Sequence, residues 1–326
     1  MTHPVEDRPA LGILLISLGV TAISVNDMVI KLLSGGYPLH QIVFIRAAIG
    51  ILPMLVLLSR SGGIAALRTA TPGLHALRGL LVVAANMTFY AAVAALPLAL
   101  ATALFFVAPL FITLLSIPLL GERVGALRLG AVAVGFSGVL VMQQPFGALP
   151  GDVPRLVLLL PVLAAFLYAM LQVMTRRLGV KSSAVALAIY IQSAFLVVSA
   201  LMFLVAGDGR FAEGSGNDSV QFLLRAWVWP PAEDWATFLL VGIMSGFVGY
   251  CLSASYRMAA VSVIAPFEYL GLPLAIVWGW SIFGEWPAAE TWAGCALIVG
   301  AGLFVLLREA RLGRPSPGQR TRPFRR

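Results

Sequence analysis

The feature that most restricts this chain is a series of apolar runs, each close to the ~20 residues a helix needs to cross a ~30 Å hydrocarbon layer. They lie near residues 10–33, 39–59, 73–95, 98–120, 124–142, 154–176, 183–206, 235–258, 261–283 and 287–308. The runs are continuous rather than alternating, which argues against a membrane β-barrel, and in lipid such a segment must satisfy its backbone polar groups internally. The expectation is an all-α integral membrane protein with ten transmembrane helices. Composition supports it: 60% of residues are hydrophobic and 11% charged, against roughly 25% charged in a soluble domain. Connections as short as Leu96-Pro97 and Ala259-Ala260 force neighbouring helices into antiparallel hairpins.

Several function classes fall away. The net charge of +8 could suggest nucleic acid, but the arginines sit between apolar runs or in the tail, without the aromatic-basic platform that single-strand binders use. Cys251 and Cys295 lie inside apolar segments and offer neither a disulfide framework nor metal-ligand spacing. No metal or other cofactor is expected. His3, His40 and His75 are isolated at or beyond the membrane edge, and no Gly-x-Ser-x-Gly elbow or pair of acids at catalytic spacing is present. A membrane-embedded lipid-modifying enzyme therefore stands only as the alternative to a transporter. A Gly-rich Lys loop for nucleotide phosphates is missing too, which argues against direct ATP drive.

Charge fixes the expected orientation. With the N-terminus cytoplasmic, one side collects Arg60, Arg68, Arg78, Arg123, Arg128, Arg176, Arg177, Lys181, Arg257 and the tail from Arg308 to Arg326. The other receives Arg155, Arg210 and Arg225 with most of the acids: Asp152, Asp208, Glu213, Asp218, Glu233, Asp234, Glu285 and Glu290. The reading is a multi-pass inner-membrane protein with both termini in the cytoplasm. Glu6 and Asp7 ahead of a long first run argue for a retained helix over a cleaved signal peptide. Residues 309–326 form a basic tail expected to be disordered, and Trp227 and Trp229 in the external loop 207–233 are expected as interfacial anchors.

An internal match divides the chain. LLGERVGALRLGAVAVGFSGVLVM at 119–142 resembles IFGEWPAAETWAGCALIVGAGLFV at 282–305, an offset of 163. AALPLALATALFFVAPLF resembles MAAVSVIAPFEYLGLPLA, and AISVNDMVIKLL is set more weakly beside FLYAMLQVMTRRL. Five spans is an odd number, so the second copy must run through the membrane upside down. The charges agree: Arg123 and Arg128 follow the fourth span, whereas Glu285 and Glu290 follow the ninth. The expected organisation is a cytoplasmic N-terminus at 1–9, a five-helix repeat at 10–142, an external connector at 143–153, an inverted repeat at 154–308 and the tail. Inverted repeats suit secondary transport, because two equivalent halves can exchange conformations and open one site to either side.

These features, the Gly-Glu turn before the last helix of each half and the basic tail together, resemble the EamA-like branch of the drug/metabolite transporter superfamily over about residues 10–308. The resemblance implies transport of a small organic metabolite. SVNDMVIKLL and FIRAAIG are similar to the subset that includes riboflavin and S-adenosylmethionine importers.

Polar side chains at membrane depth are costly and mark cavities or partners. Asp27 and Arg46 lie on hairpin-adjacent helices, each ~10 Å below the outer surface at ~1.5 Å per residue, a geometry that permits an ion pair. Ser24, Asp27 and Lys31 share a helix face. Tyr168 and Gln172, Tyr190 and Gln192, and Asn86 and Tyr90 are the further candidates for lining a cavity, since amides and phenols bind polar solutes without the desolvation cost of a charge. Glu268, between Pro266 and Pro273, is a candidate for proton coupling or cation recognition, with Pro109 and Pro118 the matching breaks in the first half. For each residue, a role in holding helices together competes with cavity lining. The expected partners are a small-molecule solute and membrane lipids, with no nucleic acid. The glycines at 242, 246, 249, 294, 300 and 302 suit internal packing in a monomer, with a dimer face as the alternative.

Overall fold

A run of apolar residues in lipid has one low-energy option, a helix, and the described residues are mostly helical. The computed structural model describes residues 9–60, 63–69, 71–121, 124–143, 155–178, 184–258 and 265–311. The helices are α1 (Pro9–Leu33), α2 (Leu39–Arg60), α3 (Pro72–Ala95), α4 (Leu98–Phe105), α5 (Ala108–Leu120), α6 (Ala126–Met142), α7 (Leu159–Leu178), α8 (Ala184–Ala206), α9 (Asp218–Leu224), α10 (Trp235–Met258), α11 (Gly271–Phe283) and α12 (Ala289–Arg311). The described residues contain no strand. Seven stretches are long and apolar enough to cross a membrane: Ala10–Leu33, Leu39–Arg60, Pro72–Ala95, Leu98–Leu120, Arg155–Met174, Val185–Ala206 and Ala289–Arg308. Leu129–Met142 and Phe267–Phe283 are shorter apolar helices. Residues 1–8, the Ala259-Ala260 hairpin, most of the 143–153 connector and the tail beyond Arg311 lie outside the described residues.

Local chemistry sets the boundaries. Pro72 opens α3, where the N–H that proline lacks would have had no partner. The run 98–120 is interrupted at Phe106 and Val107, two residues before Pro109, whose ring and missing N–H break the ladder there. Pro118 sits inside α5 without interrupting it. The run 265–283 begins as a 3-10 turn at Ala265–Leu270 before α11. Gly121 and Gly284 end α5 and α11 with the same left-handed φ of 67°, a conformation that glycine adopts without steric cost.

Helix pairing builds the bundle. α1 packs on α10, α3 on α7, α2 on α8 and α6 on α12; α2 also meets α10, and α8 also meets α3. α4 and α5 lie on α7, while α11 and the 265–270 turn lie on α1. One apolar core cluster runs through these contacts, from Val29 on α1 to Ile298 on α12. Leu14, Leu52, Val56, Leu80, Leu140, Leu201, Leu204 and Leu307 point outward, as a surface bathed in lipid requires.

The two ends of the bundle differ. Residues 34–38, 96–97, 207–234 and 284–288 gather at one, here called the capped end, where α9 and its flanks fold over the helix tips. Gln41 reads the backbone of Val228 with both ends of its amide: Nε2 donates to the carbonyl at 2.5 Å, and Oε1 accepts the N–H at 3.1 Å. The Ser219 hydroxyl donates to Ala91 O at 2.6 Å, and Arg225 donates to Gly35 O at 2.6 Å. Trp227 packs against His40, Phe44 and Phe203 rather than standing out as an anchor, whereas Trp229 is 84% exposed. At the opposite end the Tyr190 hydroxyl donates to Leu67 O, and its ring lies 4.5 Å from that of His75.

Candidate functional site

The densest polar chemistry at helix depth is a knot of five side chains from three helices. Asp27 and Asn26 come from α1, Arg46 from α2, and Asn86 and Tyr90 from α3. At ~1.5 Å per residue, Asp27, Arg46 and Tyr90 all lie ~7–11 Å below the capped end of their helices. Antiparallel hairpins therefore bring them to one level. The Tyr90 hydroxyl is the hub: it donates to Asp27 Oδ1 at 2.6 Å and accepts from Asn26 Nδ2 at 2.8 Å. Arg46 Nη2 donates to Asn86 Oδ1 at 3.3 Å. Its guanidinium carbon lies 5.1 Å from the Phe195 ring centroid and 6.0 Å from that of Tyr90, a cation-π arrangement that partly replaces lost hydration.

Among the ion pairs of the described residues, Asp27 and Arg46 are not a direct couple. Tyr90 mediates: Asp27 accepts a hydrogen bond from its hydroxyl, and Arg46 faces its ring. Arg46, Asn26 and Tyr90 are buried, whereas Asp27 and Asn86 keep partial access. Arg46 Nε, Asn26 Oδ1 and Ser24 Oγ are buried without a partner. Unmet polar atoms are expensive in an apolar interior, and three beside a charged knot mark a place where a solute could complete the bonding.

A second polar group lies in the other half of the chain. The Tyr168 phenol on α7 interacts with Gln172 one turn on and with the carboxylate of Glu268 in the 265–270 turn. Aromatic rings connect the two groups in steps: Tyr90 to Phe89 at 5.4 Å, Phe89 to Phe105 at 5.2 Å, Phe105 to Tyr168 at 5.6 Å. Such rings can stack on a planar solute.

The sequence candidates thus divide. Asp27, Arg46, Asn86 and Tyr90 form the first group; Tyr168, Gln172 and Glu268 form the second. The structure places the other three elsewhere. Gln192 donates to Ser245 Oγ at 3.2 Å, at a crossing so close that a Cβ on Gly50 would meet the Gln192 amide nitrogen at 2.6 Å. Tyr190 serves the opposite end, and Lys31 pairs with Glu285 at 2.6 Å at the capped end. Asn26, Phe195 and Glu285 are additions. Asn26 adjoins Asp27 in sequence, and an amide inside an apolar span was itself a signal. Glu285 was visible as half of a repeated Gly-Glu turn and as one of the acids expected outside, but not as a partner of Lys31. Nothing in the local sequence of Phe195 singled it out.

Comparison with known proteins points to a transporter family. Residues 10–143 match the model of the EamA-like transporter family. The chain is 32% identical over 307 residues to a riboflavin transporter of Rhizobium johnstonii, covering 93% of both chains. It is 27% identical to an S-adenosylmethionine uptake transporter of Rickettsia prowazekii, covering 92% of this chain and 94% of the relative. It is 29% identical to a pseudopaline exporter of Pseudomonas aeruginosa, covering 89% and 94%. One solved crystal structure superimposes with a TM-score of 0.60 and 22% identity, over 93% of this chain and 97% of that one, a likeness of fold.

Proposed function

Because the chain belongs to the EamA-like transporter family, we propose that it is a secondary transporter working by alternating access, with its solute held between two inverted five-helix repeats. The chain is a multi-pass membrane protein that transports small metabolites; the proposal concerns how and which. The observation that carries it is the Asn26–Asp27–Tyr90–Arg46–Asn86 knot, whose partly unmet bonding lies at helix depth.

Helix pairing supports the inverted repeat. Advancing each span by five turns the α1–α10 contact into α7–α3 and the α2–α10 contact into α8–α3, and it returns α2–α8 and α6–α12 to themselves. α5 and α11 are both 13 residues long, begin 163 residues apart, and end on glycines with φ of 67°. α6 and α12 also start 163 residues apart. Ten spans follow once α6, α10 and the segment 265–283 are counted with the seven long apolar stretches. The segregation of arginines and lysines supports both termini in the cytoplasm of an inner membrane, with the capped end outside.

The solute is a small polar organic molecule with a planar ring. The ladder Tyr90–Phe89–Phe105–Tyr168 offers stacking faces, and Arg46 with Asp27 offers one donor and one acceptor of full charge. Riboflavin is the first solute to test, since a relative covering nearly the whole chain carries that name. Glu268 and Asp27 are the carboxylates through which proton coupling or exchange would run. Purified protein in liposomes, given labelled riboflavin or S-adenosylmethionine with and without a pH gradient, tests the reading. Accumulation above protein-free vesicles is the expected result; no movement of either solute, or of a wider panel of ring-bearing metabolites, would overturn it.

A further inference from the structure

Three chain segments meet at the capped end on one ion pair. Lys31 lies two residues before the end of α1; its side chain is 9% exposed and that of its partner Glu285 26%, so the pair is largely but not wholly withdrawn from solvent. Its ammonium donates to Glu285 Oε1 at 2.6 Å and to Leu96 O at 2.8 Å, and stands 5.0 Å from the Phe283 ring centroid. The other oxygen of Glu285 accepts the Leu98 N–H at 3.0 Å, the first residue of α4. The backbone N–H of Glu285 donates to Gly279 O at 2.8 Å, which fixes the carboxylate just beyond the Gly284 cap of α11. Both carboxylate oxygens and the ammonium are thus committed, and they tie the end of α1, the α3–α4 turn and the α11–α12 turn together.

The position of this junction is informative. Lys31 is one helical turn above Asp27 on the same face of α1, so the ion pair roofs the polar knot on its capped side. The choice of residues is informative too. A desolvated ion pair is a poor way to make a permanent contact, because apolar residues of similar volume hold such a place as well or better. It suits a contact that must part and be hydrated: once water enters, both charges regain solvation, and neither leaves an unmet group in lipid. An aliphatic plug would instead resist opening, since opening would expose apolar surface.

We propose that Lys31 and Glu285 are positioning residues of the transport cycle: their ion pair, anchored on the Leu96 carbonyl and the Leu98 N–H, is the latch that shuts the capped end and must part before the Asp27–Arg46 group meets solvent there. This rests on the alternating-access reading above. In the state described here the latch is closed. Weakening it shifts the population toward the state open at the capped end and draws it from the state open at the other.

The test follows accessibility from both sides. In full-length protein carrying Cys251→Ser and Cys295→Ser, a Ser24→Cys probe sits on the same face of α1 as Asp27. Its reaction with a membrane-impermeant maleimide is timed in right-side-out and inside-out vesicles. Lys31→Met and Glu285→Gln are each expected to raise the rate about fivefold or more from the capped side and to lower it from the opposite side. A fold merely loosened would raise both rates or neither, and either result overturns the latch. A second arm uses Lys31→Cys with Glu285→Cys joined by a cleavable bis-maleimide. Transport should cease on cross-linking and return on cleavage, whereas continued transport through the joined pair overturns the proposal. The two readings fail separately: a parent that moves solute without the labelling shift removes the latch alone, and a labelling shift in protein that moves neither riboflavin nor S-adenosylmethionine but moves another solute of the panel leaves the latch and removes the assigned cargo.

Discussion

The Tyr90 hydroxyl, 2.6 Å from Asp27 Oδ1 and 2.8 Å from Asn26 Nδ2, is the point on which the polar group of the first half is organised. A phenol here does what a water molecule would do in a wetter site. It donates a hydrogen bond to the carboxylate, accepts one from the amide, and presents its ring toward the Arg46 guanidinium 6.0 Å away. The two charges are thereby held near one another without a direct ion pair.

Tyr90→Phe keeps the ring and removes the hub. Asp27 then lacks its phenolic donor and Asn26 its acceptor, at a cost of about 1–3 kcal/mol for groups left unmet in a buried site. The expected outcome is a lower melting temperature of the purified protein together with a raised KM for uptake. Asp27→Asn keeps the packing and loses the charge, so uptake should fall by roughly tenfold or more while thermal unfolding changes little. An Asp27→Asn protein that transports like the parent would place the charge outside the mechanism.

Arg46→Lys separates geometry from charge. The guanidinium is planar, lies between the Phe195 and Tyr90 rings and reaches Asn86, none of which a compact ammonium reproduces. Uptake is expected to drop by about tenfold to a hundredfold, in line with the ~1.5–3 kcal/mol that a hydrogen bond to a charged group contributes. Arg46→Gln should fall at least as far. Uptake by Arg46→Lys equal to that of the parent would show that a positive charge alone suffices.

How much of this was legible follows from what a sequence encodes about a helix in lipid. Depth is legible, because counting residues from the end of a run gives height; Asp27 and Arg46 were put at one level that way. Rotation is much less so. Helices such as α5 and α11 are apolar on nearly every side, so nothing in the pattern says which face looks inward, and Tyr190 and Gln192 meet Leu67 and Ser245 instead of the knot. The Gly-Glu repeat pointed to Gly121 and Gly284, and both adopt the left-handed cap. It could not supply the partner of Glu285, because Lys31 lies 254 residues away. The break at Phe106 was written in Pro109, yet Pro118 in the same run bends nothing out of register.

Packing at the crossing of α6 and α12 gives a prediction free of any functional assumption. A Cβ added at Gly294 would lie 2.7 Å from the Gly138 carbonyl oxygen and 2.5 Å from Met142 Cγ. Backbone cannot move aside as a flexible side chain can. Gly294→Val is expected to destabilise by about 1–3 kcal/mol through overpacking, read as a lowered melting temperature in detergent. Gly300→Val, on the same helix with open space around its Cα, is the control and should melt close to the parent. Equal loss in both would indicate a second contact at Gly300, such as another copy of the chain.

Tyr37 supplies a pH test outside the lipid-spanning helices. Burial first, and then the hydrogen bond it donates to Asp234 with that carboxylate's charge, push the phenol up to about 12. In the unfolded chain a tyrosine titrates near ~10. The folded state therefore holds the proton more tightly, and between pH ~10 and ~12 the unfolded state has lost a proton that the folded state retains. This contribution to stability is fully present below pH ~10 and is lost as pH rises through that window. Melting temperatures taken from pH 8 to 11.5 should fall more steeply above pH 10 for the parent than for Tyr37→Phe, which has no proton to lose. Parallel curves would mean that the Tyr37–Asp234 bond opens before the phenol titrates.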